Sequence, residues 1–200
     1  MFEFKDDVVS GKTYTIKFKT KIVDKESLFY NDNNVQFSNT AFVSGSAITG
    51  KIAEGSGSQS FDSQVLSKSV KTAYNYETRI VEWQIIVNRN NLTLKNAVLT
   101  DIIPDGMVYA GGFSVTPNTG TVSEGENKNP KIDENENKLT FNLGTISETY
   151  TVTFKTKVID EKLFKQGDVS FTNKAELKAD NFKNIPKAEA KITVKNPIVS

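Results

Sequence analysis

Two stretches of the chain share one alternation of apolar and polar positions. Val169, Phe171, Asn173, Ala175 and Leu177 fall on one face of a period-2 strand, and Val35, Phe37, Asn39, Ala41 and Val43 do the same earlier. The likeness reaches upstream of both: Tyr150 to Leu177, YTVTFKTKVIDEKLFKQGDVSFTNKAEL, is a close copy of Tyr14 to Val43, YTIKFKTKIVDKESLFYNDNNVQFSNTAFV. The chain is therefore built from a repeat. In each copy an amide side chain stands in the middle of an apolar stripe, where it is out of place.

The same alternation predicts the remaining elements. Phe2, Phe4, Val8, Tyr14, Ile16, Phe18 and Ile22, with Ser10-Gly11-Lys12 as a turn, predict a hairpin over residues 2–23. Gly, Ser and Ala dominate residues 44–60, which predicts a weak final strand followed by a linker, with a boundary near Gln59. Strands are predicted over 64–70, 76–88, 94–109 (ended by the turn Pro104-Asp105-Gly106) and 187–194, with 139–143 and 150–158 paired as a second hairpin. The loop over 117–138 holds Asp133, Glu134 and Glu136 at a spacing that matches no EF-hand, and reads as solvated. About ten short strands and no long amphipathic helix predict an all-β sandwich. The register of the repeat divides it into 1–58, the C-terminal part of one unit, and 59–200, a complete unit.

Composition narrows the chemistry. Cysteine and histidine are both absent, which removes disulfides, thiol nucleophiles, histidine metal sites and histidine-dependent triads. With 25 basic residues scattered against 24 acidic ones, the basic patch of a nucleic-acid binder is missing. No apolar run reaches the length of a membrane span, and the first residues open a strand pattern where a secretory leader would need a basic segment and then an apolar one. We expect a fragment of something longer, with no cofactor, no metal, no nucleic acid and no membrane insertion.

Two more polar side chains of the complete unit point where apolar neighbours point. Lys68 shares a face with Leu66 and Val70, and Asp101 with Ala97, Leu99 and Ile103. Burial of an isolated charge is relieved by a pKa shift that leaves the lysine neutral and the aspartate protonated. A neutral amine is a nucleophile, and a protonated carboxyl can polarise the Asn173 amide, so a Lys-to-Asn amide crosslink with loss of ammonia is within reach. The bland alternative is a lysine that snorkels to the sandwich edge and pairs with Asp101 while Asn173 serves a bulge. Lys71 is a second candidate lysine, although it falls on the opposite face with Ser67 and Ser69. Trp83 reads as core packing.

Lys68, the strand Ile80-Val-Glu-Trp83-Gln-Ile-Ile-Val-Asn88, Thr100-Asp101-Ile-Ile-Pro104-Asp-Gly106, Tyr150-Thr-Val-Thr-Phe-Lys-Thr-Lys157 and Phe171-Thr-Asn173 together resemble the collagen-adhesin A-type (CnaA-like) domains of Gram-positive surface proteins and pili. The resemblance covers about Val65 to Val194 and implies an Ig-like (CnaA/DEv-IgG-like) sandwich. It also implies an isopeptide bond between Lys68 and Asn173 with Asp101 as the catalytic acid, a single-turnover event in a protein that is otherwise no enzyme. Asn39 is then the repeat equivalent without partners, its lysine and aspartate being expected upstream of Met1. The function expected is a structural stalk or adhesin module, extracellular and cell-wall anchored, with neighbouring repeats as partners. The alternative is a ligand-binding module that recognises collagen, another host extracellular-matrix protein or a glycan, for which Tyr109 and Phe113 are the few loop aromatics on offer.

Overall fold

The computed structural model describes residues 3–4, 9, 11–23, 26, 34–45, 53–62, 65–117, 131–133, 135–159 and 167–195. Twelve strands run through them: β1 (Asn34–Val43), β2 (Ala53–Asp62), β3 (Leu66–Asn75), β4 (Ile80–Val87), β5 (Leu94–Ile102), β6 (Met107–Tyr109), β7 (Ser114–Thr116), β8 (Lys131–Asp133), β9 (Lys138–Ile146), β10 (Tyr150–Val158), β11 (Val169–Lys178) and β12 (Lys187–Val194). β1 and β2 form a two-stranded sheet. One five-stranded sheet runs β3-β4-β10-β6, with β7 also on β10, and the other runs β12-β11-β5-β9-β8. The two larger sheets are the layers of an all-β, Ig-like sandwich.

Alternation places the core between those layers. Val81, Trp83, Ile85 and Val87 of β4 are fully buried while the residues between them are not, and Leu99, Leu143, Val152, Phe154 and Leu177 close the same interior. Each such side chain contributes about 1.5–3 kcal/mol by leaving water. Two irregularities set the phase of the strands that matter for the site. In β5 the register shifts between Leu94 and Ala97, with Asn96 at φ 49, so that Leu94, Ala97, Leu99 and Asp101 all face inward. In β3 it shifts after Val70, so Leu66, Lys68 and Val70 stand opposite Val87, Ile85 and Trp83 while Lys71 and Thr72 turn outward.

Four expectations are corrected. Within residues 3–23 no strand forms among the described residues. Tyr14, Ile16 and Phe18 remain 45%, 48% and 54% exposed, and an alternating segment without a layer to cover it does not specify a strand. The expected weak strand forms as β2, but it pairs with β1 over its whole length and runs on to Asp62, through the residues where the linker was expected. Backbone pairing with β1 sustains it despite its Gly and Ser content. Third, β9 and β10 are no hairpin: β9 pairs with β5 and β8 while β10 pairs with β4, β6 and β7, so the chain crosses from one layer to the other between Ile146 and Tyr150. Adjacency in sequence suggested pairing, but both strands carry inward apolar side chains that suit either layer. Last, the polar loop contains a short strand, β8, and Asp133 at its end accepts hydrogen bonds from the backbone N–H groups of Asn135 and Glu136. Glu134 lies outside the described residues.

The small sheet reproduces the register of the far edge of the sandwich. In β1–β2, Val35 stands opposite Phe61 and Asn39 opposite Gly57; in β11–β12, Val169 stands opposite Val194 and Asn173 opposite Ala190. The internal repeat is thus a repeat of strand pairing as well as of sequence.

Candidate functional site

Lys68 and Asp101 approach each other from different layers. Lys68 descends from β3, an edge strand that lies against β12 and β11 of the facing sheet, and its Nζ donates to Asp101 Oδ2 in a close contact. Both side chains are wholly shielded from solvent. Asn173 on β11 is equally buried. Because Asp101 stands opposite Ala175, Asn173 is its diagonal neighbour on the inner face of the same sheet. Neither the oxygen nor the nitrogen of the Asn173 amide has a hydrogen-bond partner, and Asp101 Oδ1 has none either. The amide lies near enough to the carboxyl to act on it as a hydrogen-bond donor, in the direction that favours its charged form, but the contact falls short of good hydrogen-bond geometry.

The surroundings of the amine are aromatic. Lys68 Nζ lies 5.4 Å from the ring centroid of Trp83 and 5.0 Å from that of Phe154, which face each other across β4 and β10. Magnitudes decide the charge state here. Moving an ion from water into such an interior costs several kcal/mol for each partner, a desolvated ring face returns about 2, and an ion pair needs further hydrogen bonds on its free positions. Asp101 Oδ1 lacks one. Burial therefore holds Lys68 below the usual lysine range against the pull of Asp101, and holds Asp101 above the usual carboxylate range against Lys68 and Asn173. Both directions favour a neutral amine and a protonated carboxyl beside an unsatisfied amide.

The other sequence candidates lie elsewhere. Lys71 is on the outer face, where its Nζ donates to Glu82 Oε1 at 3.0 Å, and Thr72 donates to Oε2 of the same carboxylate at 2.9 Å. Asn39 is exposed on β1. Trp83 is fully buried, as a core tryptophan, and doubles as a wall of the site. Phe113 stacks on Phe141 with centroids 5.1 Å apart, and Tyr109 packs partly against the core, so neither loop aromatic offers a free face of any size. Sequence reasoning passed over Thr156 of β10. It is fully buried, accepts a hydrogen bond from Trp83 Nε1 at 2.8 Å, and lies in the inward series Val152, Phe154, Thr156, Val158, where the period-2 test that exposed Lys68 would have found it.

Among solved structures, the collagen adhesin of Staphylococcus aureus aligns at 15% identity and TM-score 0.45, over 72% of this chain and 56% of that one. The chain thus spans little more than half the length of that adhesin. The collagen-binding domain from an S. aureus adhesin aligns at 18% identity and TM-score 0.44, over 68% of this chain and 100% of that one. The collagen binding subdomain of the Enterococcus faecalis surface protein ACE aligns at 17% identity and TM-score 0.43, over 68% and 99%. No curated protein sequence matches the chain. Residues 63–188 match the profile of the family described as the collagen binding domain, and the chain belongs to that CnaA-like family.

Proposed function

We propose that the chain is part of a Gram-positive surface adhesin in which the complete unit fastens itself with an amide bond from Lys68 to Asn173. One observation carries this reading: a wholly buried Lys68–Asp101 pair stands beside an Asn173 amide whose two polar atoms are both unpartnered. A buried amide left unsatisfied costs about 1–3 kcal/mol for each orphaned group, which a purely structural asparagine would not incur. In the reaction Lys68 Nζ attacks Asn173 Cγ while the Asp101 proton stabilises the amide oxygen. With the Nζ–Cγ bond formed, the carboxyl relays a proton from Nζ to Nδ2, and the C–N bond to Nδ2 breaks as the carbonyl re-forms. Ammonia leaves, and no oxidant or cofactor takes part. The purified chain is expected to weigh one ammonia less than its sequence mass, and the full sequence mass would overturn the reading.

The surface setting rests on the family to which the chain belongs. The matching registers of β1–β2 and β11–β12 support tandem units, with neighbouring repeats as structural partners, the parent being extracellular and cell-wall anchored. The family match also favours a second, compatible reading, in which the unit recognises collagen. Retention of the chain on immobilised triple-helical collagen, and its absence on heat-denatured collagen, is the expected result; equal retention on both would remove the specific form of this reading.

A further inference from the structure

We propose that Thr156 is a positioning residue for the crosslinking reaction, fixing the Trp83 ring that walls the Lys68 amine. The inference rests on the crosslink reading and adds a residue to it. Trp83 Nε1–H is buried and has one acceptor, the Thr156 hydroxyl, at 2.8 Å. That hydroxyl turns its own proton toward Met107 Sδ at 3.6 Å, so its lone pairs are free to face the indole. Thr156 stands opposite Val81, two residues from Trp83 along β4, and the indole leans diagonally across the ladder to reach it. The face of the ring then lies beside Lys68 Nζ, with Phe154 forming the adjoining wall. A buried indole N–H without an acceptor is costly, so loss of the hydroxyl would turn the ring toward another partner and reopen the chamber around the amine. Displacement of a reacting group by about 1 Å can slow a reaction by roughly a hundredfold.

Three chains separate positioning from packing. Valine at 156 keeps the shape of threonine and removes the acceptor, whereas serine keeps the acceptor and removes a methyl group. Each is synthesised in a cell-free system, and the fraction that has lost ammonia is followed by intact mass over time. Wild type is expected to react fastest, Thr156→Ser to remain near it, and Thr156→Val to react roughly tenfold more slowly or worse. Val at the wild-type rate, or Ser slowed as much as Val, would overturn the proposal, the second because it marks a packing role. Should Thr156→Val fail to fold, Thr156→Ala takes its place, with the same roughly tenfold loss expected against a near-wild-type Thr156→Ser, and a wild-type rate in Thr156→Ala overturns the proposal. A wild-type chain that keeps all its ammonia would sink the crosslink reading itself, which is a different result from a crosslinked wild type with an indifferent residue 156.

Discussion

At the scale of single residues, Asn173 and Asp101 can be separated by experiment because they fail in different ways. Asn173→Ala removes the electrophile and leaves the Lys68–Asp101 pair intact, so the fold should form while the unit loses its cross-link. By analogy with a disulfide that closes a loop of comparable length, the loss is on the order of 4 kcal/mol, read as a lower midpoint in denaturant. Asp101→Asn removes the acid, and with it the charge that supported protonation of Lys68. Burial then acts on that amine with only the ring faces against it, so the folded protein releases its proton at a lower pH than the unfolded chain, which keeps it up to about pH 10.5. The unfolded state binds more protons, and the stability of this variant is expected to rise with pH until that value and level off above it. Denaturant midpoints across the pH range check it, with Lys68→Met/Asp101→Asn as the control that should lack the slope.

At the scale of elements, the strands that carry the site were legible and their partners less so. Lys68, Asp101 and Asn173 stand in strands long enough for period 2 to reveal an inward polar group. Pairing is a different matter, since alternation says which way a side chain points and nothing about which strand lies alongside; hence β9 and β10 looked like a hairpin and are in opposite layers. The crossing is held by Asn88, a residue that gave no signal beyond its polar run. At φ 65 and fully buried, it receives a hydrogen bond from Leu92 N, and its Nδ2 donates to Leu92 O at 2.8 Å and Glu148 O at 3.1 Å, tying the end of β4 to the β9–β10 connection. Asn88→Ala would orphan those groups and place alanine at positive φ. A loss of roughly 2–4 kcal/mol is expected, and a change below 0.5 in a denaturant titration would show that water replaces the side chain without penalty.

At the scale of the whole molecule, two hairpins of one design meet different fates. β11–β12 has β3 across from it, whereas β1–β2 hydrogen-bonds with no other strand among the described residues, and Asn39 stays exposed. Asn39 is therefore expected to survive as an amide in this chain, which tryptic mapping would test: a peptide joined through Asn39 would show that a lysine reaches it. The placement of the other bond has a mechanical consequence. It would join β3, which opens the sandwich, to β11, the last strand but one, so tension entering near residue 65 and leaving beyond β12 would pass through an amide instead of through the sheets. Everything strung between Lys68 and Asn173 would be slack, withholding roughly 350 Å of contour length that an Asn173→Ala chain would release under load. Only β12 could peel away, which would make the unit a nearly inextensible link rather than a spring.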